Sequence, residues 1–357
     1  MATSTSLTSI EGLRSYLDAK SIEYTDITLV SGGYTNYVYR VTRSDGSTRI
    51  YKHAAGASRT TADLALDQGR MDYEDRVLEI LPPLLAKEIP DSRVHAPQWY
   101  SYDREEKLLC IGDGGNSNLK DAYTNNPNID VARIGKDLGE WIAAVHKCSI
   151  RTTLSLDDTE DLKANSSISI NLCRYAYANL HVALKEYGHR PELAEYINNT
   201  FGSQLAVENE CICHGDYWPG NILLDYRDGE KDANLTVVDW EITRRGTSAT
   251  DVGQFSAEAW LLDRFRGGRG LLPAFLNAYA GARKKDDLGK EWVRRMAVHW
   301  GVHIAFWPTS VEWTDREGTQ KLVDIGVSVL QAAVDANWEQ LRNSELLKDV
   351  ADVYLGL

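Results

Sequence analysis

CHGDYWPGNILLD, residues 213–225, crowds a histidine, two aspartates and an asparagine around a short apolar run. Buried strands do not ordinarily begin with so many polar groups. Pro219 and Gly220 sit between Asp216 and Asn221 and force a tight loop, bringing both polar side chains to one mouth. Leu223 and Leu224 then anchor that loop through a strand. Downstream, LTVVDWEI (235–242) is an apolar strand that ends on Asp239, where a carboxylate emerges from the core. Glu241 lies two positions on and points the same way if the chain stays extended.

Working back toward the N-terminus, SIEGLRSYLDAK (9–20) predicts a helix capped by Ser9, with Ile10, Leu13 and Leu17 on one face. Residues 27–54 predict three strands. The first ends near Val30, the second runs from Tyr37 to Thr42, and the third carries Lys52 after a hairpin at Asp45–Gly46. MDYEDRVLEILPPLL (71–85) predicts a helix as far as the prolines, with Tyr73, Val77 and Ile80 on one face. APQWYSYD (96–103) and KLLCIGD (107–113) predict two more strands, and DGGNSN (113–118) is the best hinge. From Val131 the pattern turns helical, with Ile134, Leu138, Trp141, Ile142 and Val145 along one stripe. Two further helices are expected within 167–207, and helices rich in tryptophan over 252–357. The expectation is an α+β protein: a small antiparallel β lobe over 1–113 and a larger, mainly helical lobe over 114–357, the layout of protein-kinase-like folds. Layout alone does not establish function.

Bulk properties narrow the classes. A chain of 357 residues suits two lobes. A formal net charge of −13 disfavours nucleic acid and anionic membranes as partners. No apolar run approaches the ~18 residues of a membrane span. The N-terminus has no basic residue ahead of an apolar block. Five cysteines are an odd, scattered set, and Cys211 and Cys213 stand at strand spacing rather than zinc-site spacing. A reduced, cytoplasmic protein is expected, with its oligomeric state left open.

Phosphoryl transfer requires a hydroxyl to be oriented and charge on the phosphates to be neutralised. An Asp five residues before an Asn serves the first need in kinases, the Asp as base and the Asn on magnesium. Asp216 and Asn221 have that spacing. Asp239 and Glu241 supply oxygen ligands for Mg²⁺, a hard cation. Ser31, Gly32 and Gly33 form a small-residue turn whose amides can approach the phosphates of ATP. Lys52 would hold phosphate oxygens, and Glu74 on the next helix would pair with it. Each has a plainer reading: Gly32–Gly33 lacks a third glycine and reads equally as a turn, Lys52 as a surface residue, Asp239 as a strand-end cap. Glu74 competes with Asp72, Asp75 and Glu79. For His214 a structural role, bonded to backbone, is expected rather than metal binding.

HGDYWPGNILLD followed by VVDWE resembles the aminoglycoside phosphotransferase and choline kinase family of small-molecule kinases. Within it, SGGYTNYVYRV and DWE resemble 5-methylthioribose kinases and the related fungal 4-hydroxytryptamine kinase. The resemblance covers nearly the whole chain. It implies that Asn36, Lys52 and the hinge from Ile111 to Asp113 contact ATP, that Asp216 is the catalytic base, that Asn221 and Asp239 bind magnesium with Glu241 beside it, and that Asp251 braces the catalytic loop. Arg294–Arg295 lies in the region of the methylthioribose kinases' substrate-binding arginine pair, without a clear match in spacing; an exposed helix face is the plainer reading.

For the acceptor, Trp218 lies in the loop itself, and DVGQFSAEAWLLDRF (251–265) sets Asp251, Gln254 or Phe255, and Glu258 on roughly one helix face. With Trp300, Trp307 and Trp313 these residues would suit a compact cation or an aromatic amine, or else form core. Three functions follow: an ATP- and Mg²⁺-dependent kinase acting on a hydroxyl of a small metabolite, an aminoglycoside antibiotic kinase, or a non-catalytic nucleotide-binding scaffold. The intact set of Lys52, Asp216, Asn221 and Asp239 argues against the last.

Overall fold

A computed structural model describes residues 6–30, 36–56, 67–157, 159, 165–226, 233–283 and 288–356. The proposed glycine turn at Ser31, Gly32 and Gly33 lies outside the described residues.

Helix α1 (Ile10–Ala19) begins where Ser9 Oγ accepts from the Gly12 amide, as its sequence predicts. Strands β1 (Asp26–Leu29), β2 (Tyr37–Thr42) and β3 (Thr48–His53) follow, then helix α2 (Arg70–Glu88), a two-residue β4 (Val94–His95), β5 (Trp99–Asp103) and β6 (Leu108–Gly112). Five of these strands form an antiparallel sheet in the order β1-β2-β3-β6-β5. Strand alternation gives its two faces different work. Tyr39, Val41 and Tyr51 pack with Leu13 and Leu17 of α1 in a small core. Lys52, next along β3, faces away from that core, toward α2.

Helix α2 does not stop at the prolines. It runs through Pro82 and Pro83 to Glu88. Each proline removes an intrahelical hydrogen bond and is locally unfavourable by about 3 kcal/mol. Buried Met71, Val77, Leu78, Leu81 and Leu85 on both sides of the break hold the helix against the main core. Tertiary burial overrides the local signal here.

The rest of the chain comprises β7 (Ser117–Asn118), α3 (Leu119–Asn125), α4 (Val131–Cys148), α5 (Ser167–Glu186), α6 (Pro191–Ile197), β8 (Cys211–Cys213), β9 (Ile222–Asp225), β10 (Asn234–Val237), β11 (Arg244–Gly246), α7 (Ser248–Phe265), α8 (Leu271–Arg283), α9 (Lys290–Phe306), α10 (Arg316–Val334), α11 (Trp338–Arg342) and α12 (Ala351–Leu355). The expected apolar stripe of α4 is buried throughout. A second sheet, β4-β10-β9-β7, holds the loop-bearing strands, with β4 parallel to β10. A segment preceding β5 thus forms one edge of this second sheet, and the stretch expected to be a hinge supplies the opposite edge through β7. Among the described residues, no helix is long and apolar enough to cross a membrane.

Candidate active site

The loop after β8 is shaped by backbone before its side chains come into play. Gly215 has φ +86°, and a Cβ there would lie 2.3 Å from the Ile242 carbonyl oxygen. Only glycine tolerates both constraints. His214 spends both ring nitrogens on backbone: Nε2 lies 2.9 Å from the Val238 carbonyl oxygen and Nδ1 accepts from the Asp216 amide. Burial pushes its pKa down to about 4, so the ring is neutral. The structural role expected of His214 is what the ring performs.

Asp251 lies behind this loop. Its carboxylate accepts from the amides of His214 (2.7 Å) and Gly215 (3.0 Å) and contacts His146 Nε2 at 3.1 Å. Burial opposes its charge, but the His146 contact and the loop amides hold the carboxyl below its ordinary value. With its oxygens taken and its side chain 1% exposed, Asp251 is oriented toward the loop rather than toward a substrate.

Beyond Gly215, a short turn at Pro219–Asn221 carries the chain into β9. Asn221 Nδ2 donates to Asp216 Oδ2 and to the Asp216 carbonyl oxygen, each at 3.0 Å. Gln254 Nε2 donates to the other carboxylate oxygen, Oδ1, at 2.6 Å. Burial raises the Asp216 carboxyl to about 6; those two donors work against the rise, and Asp239 and Glu241 add to it.

Asp239 follows β10 in the left-handed region, φ +63°, which a non-glycine residue seldom adopts. This turn directs its half-exposed carboxylate at Lys52, 2.6 Å away. Lys52 also reaches Glu74 at 2.8 Å, and both partners are almost wholly buried. Burial alone would discharge the ammonium; the carboxylates of Asp239 and Glu74 raise its pKa instead. Burial pushes the Glu74 carboxyl up to about 7 despite Lys52. The competition among acidic residues on α2 is resolved by partners: Asp72 accepts from Lys107 and Tyr102, Asp75 accepts from Trp99, and Glu79 lies 3.8 Å from Arg76.

Glu241 departs from the extended expectation. The left-handed turn at Asp239 leads into a 3₁₀ turn over Trp240–Ile242, and Glu241 Oε2 accepts from Asn36 Nδ2 (2.6 Å) and Arg70 Nε (3.0 Å). Arg70 also donates to Asn36 Oδ1 at 2.8 Å. The resemblance had set Asn36 on ATP; the structure gives its amide to this network. Arg70, 1% exposed, was not singled out in the sequence. Nothing in its local pattern separates it from a surface arginine at a helix start.

At the hinge, Ile111 is buried and pairs with Ile50 across the sheet. Asp113 is clasped by Arg40 through bonds of 2.5 and 2.9 Å. Trp218 folds its ring over Gly220, with the Lys120 ammonium 5.1 Å from its centroid.

A cleft of about 270 Å³ opens beside Asp216 and Asp239, walled by Tyr175 and Tyr177 of α5 and by His299, His303 and Trp307 from α9 and the turn after it. Helices α7 and α9 touch at Gly253, where a Cβ would lie 2.9 Å from the Met296 carbonyl oxygen and 3.1 Å from His299 Cβ. This contact sets His299 beside Gln254, the residue that holds Asp216. Glu258 does not line the cleft but reaches it through His303, whose Nε2 lies 2.8 Å from Glu258 Oε1. Arg295 is buried rather than exposed, forked onto Glu208 at 2.5 and 3.0 Å and donating to the Tyr177 hydroxyl. Its neighbour Arg294 donates to the carbonyls of Ala333 and Val334 at the end of α10. Neither arginine lines the cleft.

Comparison with known proteins agrees with this geometry. The profile of the "Phosphotransferase enzyme family" matches residues 26–292. The chain belongs to that family. The phosphotransferase is 25% identical to the 4-hydroxytryptamine kinase of Psilocybe cubensis over 361 residues, covering 95% of this chain and 97% of that one. It is likewise 25% identical to the 4-hydroxytryptamine kinase of Psilocybe cyanescens, over 94% of this chain and 95% of that one. Among solved structures it is similar to the GDP complex of a mutant aminoglycoside 2'-phosphotransferase-IIIa, with a TM-score of 0.51 at 14% identity over 92% of this chain and 99% of that one. It is also similar to the macrolide 2'-phosphotransferase MphH of Brachybacterium faecium, with a TM-score of 0.50 at 15% identity over 90% and 98% of the two chains. At such identities the structural likeness speaks for the fold, and it is the expected kinase-like one. His299, His303 and Tyr177 were missed in the sequence; the only available signal was the i, i+4 spacing of the two histidines within HWGVHIAF (299–306).

Proposed function

We propose that this phosphotransferase is an ATP- and Mg²⁺-dependent kinase that phosphorylates a hydroxyl of a small, aromatic amine-like metabolite. The observation that carries the reading is the fixed Asp216 carboxylate at the mouth of the cleft, with the Lys52–Asp239 pair beside it. On this reading residues 1–113 form the nucleotide side, through the Ser31–Gly33 turn, Lys52 and the Ile111–Asp113 hinge backbone. Residues 114–357 hold the acceptor.

The donors fit a hard cation. Asn221 commits its NH₂ to Asp216, which leaves its carbonyl oxygen for a ligand, and Asp239 commits only one oxygen to Lys52. Mg²⁺ held by Asn221 and Asp239 would supply positive charge against the triphosphate oxygens. The chain's own residues do the rest. Gln254 and Asn221 aim the Asp216 carboxylate, which accepts the proton of the acceptor hydroxyl as that oxygen bonds to the γ-phosphorus of ATP and the bond to the departing ADP breaks. Lys52 adds fixed charge beside the phosphates, and Glu74 fixes Lys52. Glu241 acts less as a ligand than as a tie, binding the large lobe to Asn36 and Arg70.

Two features favour an aromatic amine. Tyr175, half-exposed, stands 5.8 Å from Phe306 and 6.2 Å from Trp307, offering ring faces to a flat or cationic ligand. The Glu258–His303 pair sets a carboxylate behind that wall. The names of the two Psilocybe relatives point the same way.

The test is a screen of purified protein with ATP and Mg²⁺ against 4-hydroxytryptamine, 5-methylthioribose and kanamycin. ADP release and the mass of the product are scored together. One ADP per phosphorylated 4-hydroxytryptamine is expected. Turnover on kanamycin or methylthioribose alone overturns the acceptor class. Absence of ADP release with every acceptor, together with absence of ATP binding, overturns the kinase.

A further inference from the structure

His299 and His303 stand one turn apart on α9 and both line the acceptor cleft, yet their surroundings differ. His303 is tied to a carboxylate. His299 is tied to a hydroxyl whose other partner among the described residues, Arg295, can only donate to it, so the hydroxyl proton finds an acceptor only in His299. Arg295 Nη1 lies 2.9 Å from the Tyr177 oxygen, and a guanidinium only donates, so that oxygen accepts from Arg295. Glu208 grips the other edge of the guanidinium through two bonds and keeps it in place. The single Tyr177 proton therefore goes to its remaining neighbour, His299 Nδ1, at 2.9 Å. A nitrogen that accepts carries no hydrogen. A neutral imidazole must then carry its proton on Nε2. Burial and the nearby Arg295 cation, which lower the pKa of His299 well below the usual value, keep the ring neutral. Nε2 meets no hydrogen-bonding partner among the described residues, and the ring borders the cleft next to Gln254.

We propose that His299 is a specificity-determining residue that donates its Nε2–H to an oxygen of the bound acceptor, and that Tyr177, Arg295 and Glu208 are positioning residues that fix this tautomer. The proposal rests on the acceptor occupying this cleft, as in the function proposed above. It narrows the acceptor class. At the end of the cleft nearest Gln254 the ligand presents an oxygen lone pair, from a hydroxyl, ether or carbonyl group. An ammonium at that point would meet a donor and be rejected, so a cationic group belongs farther out, toward His303 and Trp307. It also gives the late arginine a function without substrate contact, since Arg295 acts on the ligand through Tyr177 and His299.

Two measurements test this, one of them independent of any acceptor. The ring ¹⁵N–¹H spectrum of the ligand-free protein at neutral pH, assigned by the signal lost in His299→Gln, should show His299 protonated on Nε2 alone. In Tyr177→Phe the same ring should shift toward a mixture of tautomers. An Nδ1–H or doubly protonated His299 in the wild type overturns the proposal. In steady-state assays with ATP and 4-hydroxytryptamine, His299→Leu should raise the KM for the amine about three- to tenfold, the worth of one neutral hydrogen bond. The KM for ATP should stay unchanged, and His299→Gln, which restores an N–H donor, should recover most of the loss. An unchanged amine KM in His299→Leu overturns the proposal while leaving the kinase intact. Absence of turnover by the wild type on every acceptor of the screen counts against the function proposed above, and the ring spectrum still decides the tautomer.

Discussion

The two walls of the cleft are built on different plans. The proposed catalytic wall draws Asp216, Asn221 and Asp239 from one hairpin and its flanks, and backbone geometry presents each side chain, through a glycine at positive φ, a tight turn and a left-handed aspartate, before Gln254 and Lys52 grip the two carboxylates. The acceptor wall draws on helices far apart in sequence; Tyr177 and His299 are 122 positions apart. Its polar groups are fixed by chains of side-chain hydrogen bonds rather than by backbone. A wall set by backbone can be altered only at the expense of the loop. A wall set by side chains can be retuned one residue at a time.

The largest expected effect lies on the catalytic wall. Asp216→Asn keeps the shape of the side chain but removes the base, and kcat should fall about 10²–10⁴-fold. ATP affinity, measured by calorimetry, should be nearly unchanged. Its stability at neutral pH should change little, because relief of a carboxylate held against its raised pKa is offset by an NH₂ set against one of the two donors, Gln254 or Asn221. Wild-type turnover in the variant would remove Asp216 from the mechanism.

Lys52→Met comes next. It strands Glu74 in the core and deprives Asp239 of its partner. Breaking a buried pair on one side costs about 3 kcal/mol or more, so the melting temperature should drop by several degrees along with turnover. Replacing Lys52 and Glu74 together, by Met and Gln, should restore much of the stability and none of the activity. A double variant no more stable than the single one would show that the pair does not carry the small-lobe side of the site.

pH should separate the walls again. Asp216 titrates near 6, so kcat/KM should fall about tenfold for each pH unit below that value as the base takes up its proton. Stability should move the other way. Asp216 and Asp75, raised to about 6, and Glu74, raised to about 7, bind protons in the native state at pH values where the unfolded chain does not. Their contribution is therefore fully present below the unfolded value and is lost as pH rises through 6 to 7. The melting temperature should be higher at pH 5.5 than at pH 7.5, and this difference should shrink in Asp216→Asn. Parallel loss of activity and stability on mild acidification would show that the carboxylates are paired more strongly than their burial implies.

The same division explains what the sequence disclosed. The catalytic loop was legible because its chemistry and its turn residues share one short stretch; His214, Gly215, Pro219 and Gly220 are local constraints with local signatures. The strands of the small sheet were legible from their β-branched and aromatic residues and from the hairpin at Asp45–Gly46. The continuation of α2 through Pro82 and Pro83 was not, because the force that preserves it is burial of Leu81 and Leu85 against distant residues. Arg70 and Arg295 were opaque for a related reason. An arginine shows its role only when its partners are known, and Asn36, Glu241, Glu208 and Tyr177 all lie elsewhere in the chain. At Glu241 the extended chain that alternation reads is broken by one dihedral: the left-handed Asp239 turns the chain, and Glu241 Oε2 reaches Asn36 and Arg70.

The smallest effect, and the one that most sharpens the contrast, belongs to Glu258. Its Oε1 contacts His303, and its Oε2 is buried without a partner among the described residues. An unpaired carboxylate oxygen in the interior is unfavourable unless a cation or donor approaches. Glu258→Gln preserves the volume and the bond to His303 but removes the negative charge behind the aromatic wall. For an amine acceptor the KM should rise severalfold, an effect of about 1 kcal/mol, with the KM for ATP and the affinity for a neutral acceptor analogue unchanged. An equal rise for the neutral analogue would mean that Glu258 serves only to hold His303. The charge of the acceptor would then be read elsewhere in the cleft, by the aromatic rings of Tyr175 and Trp307 or by the carboxylates that line it.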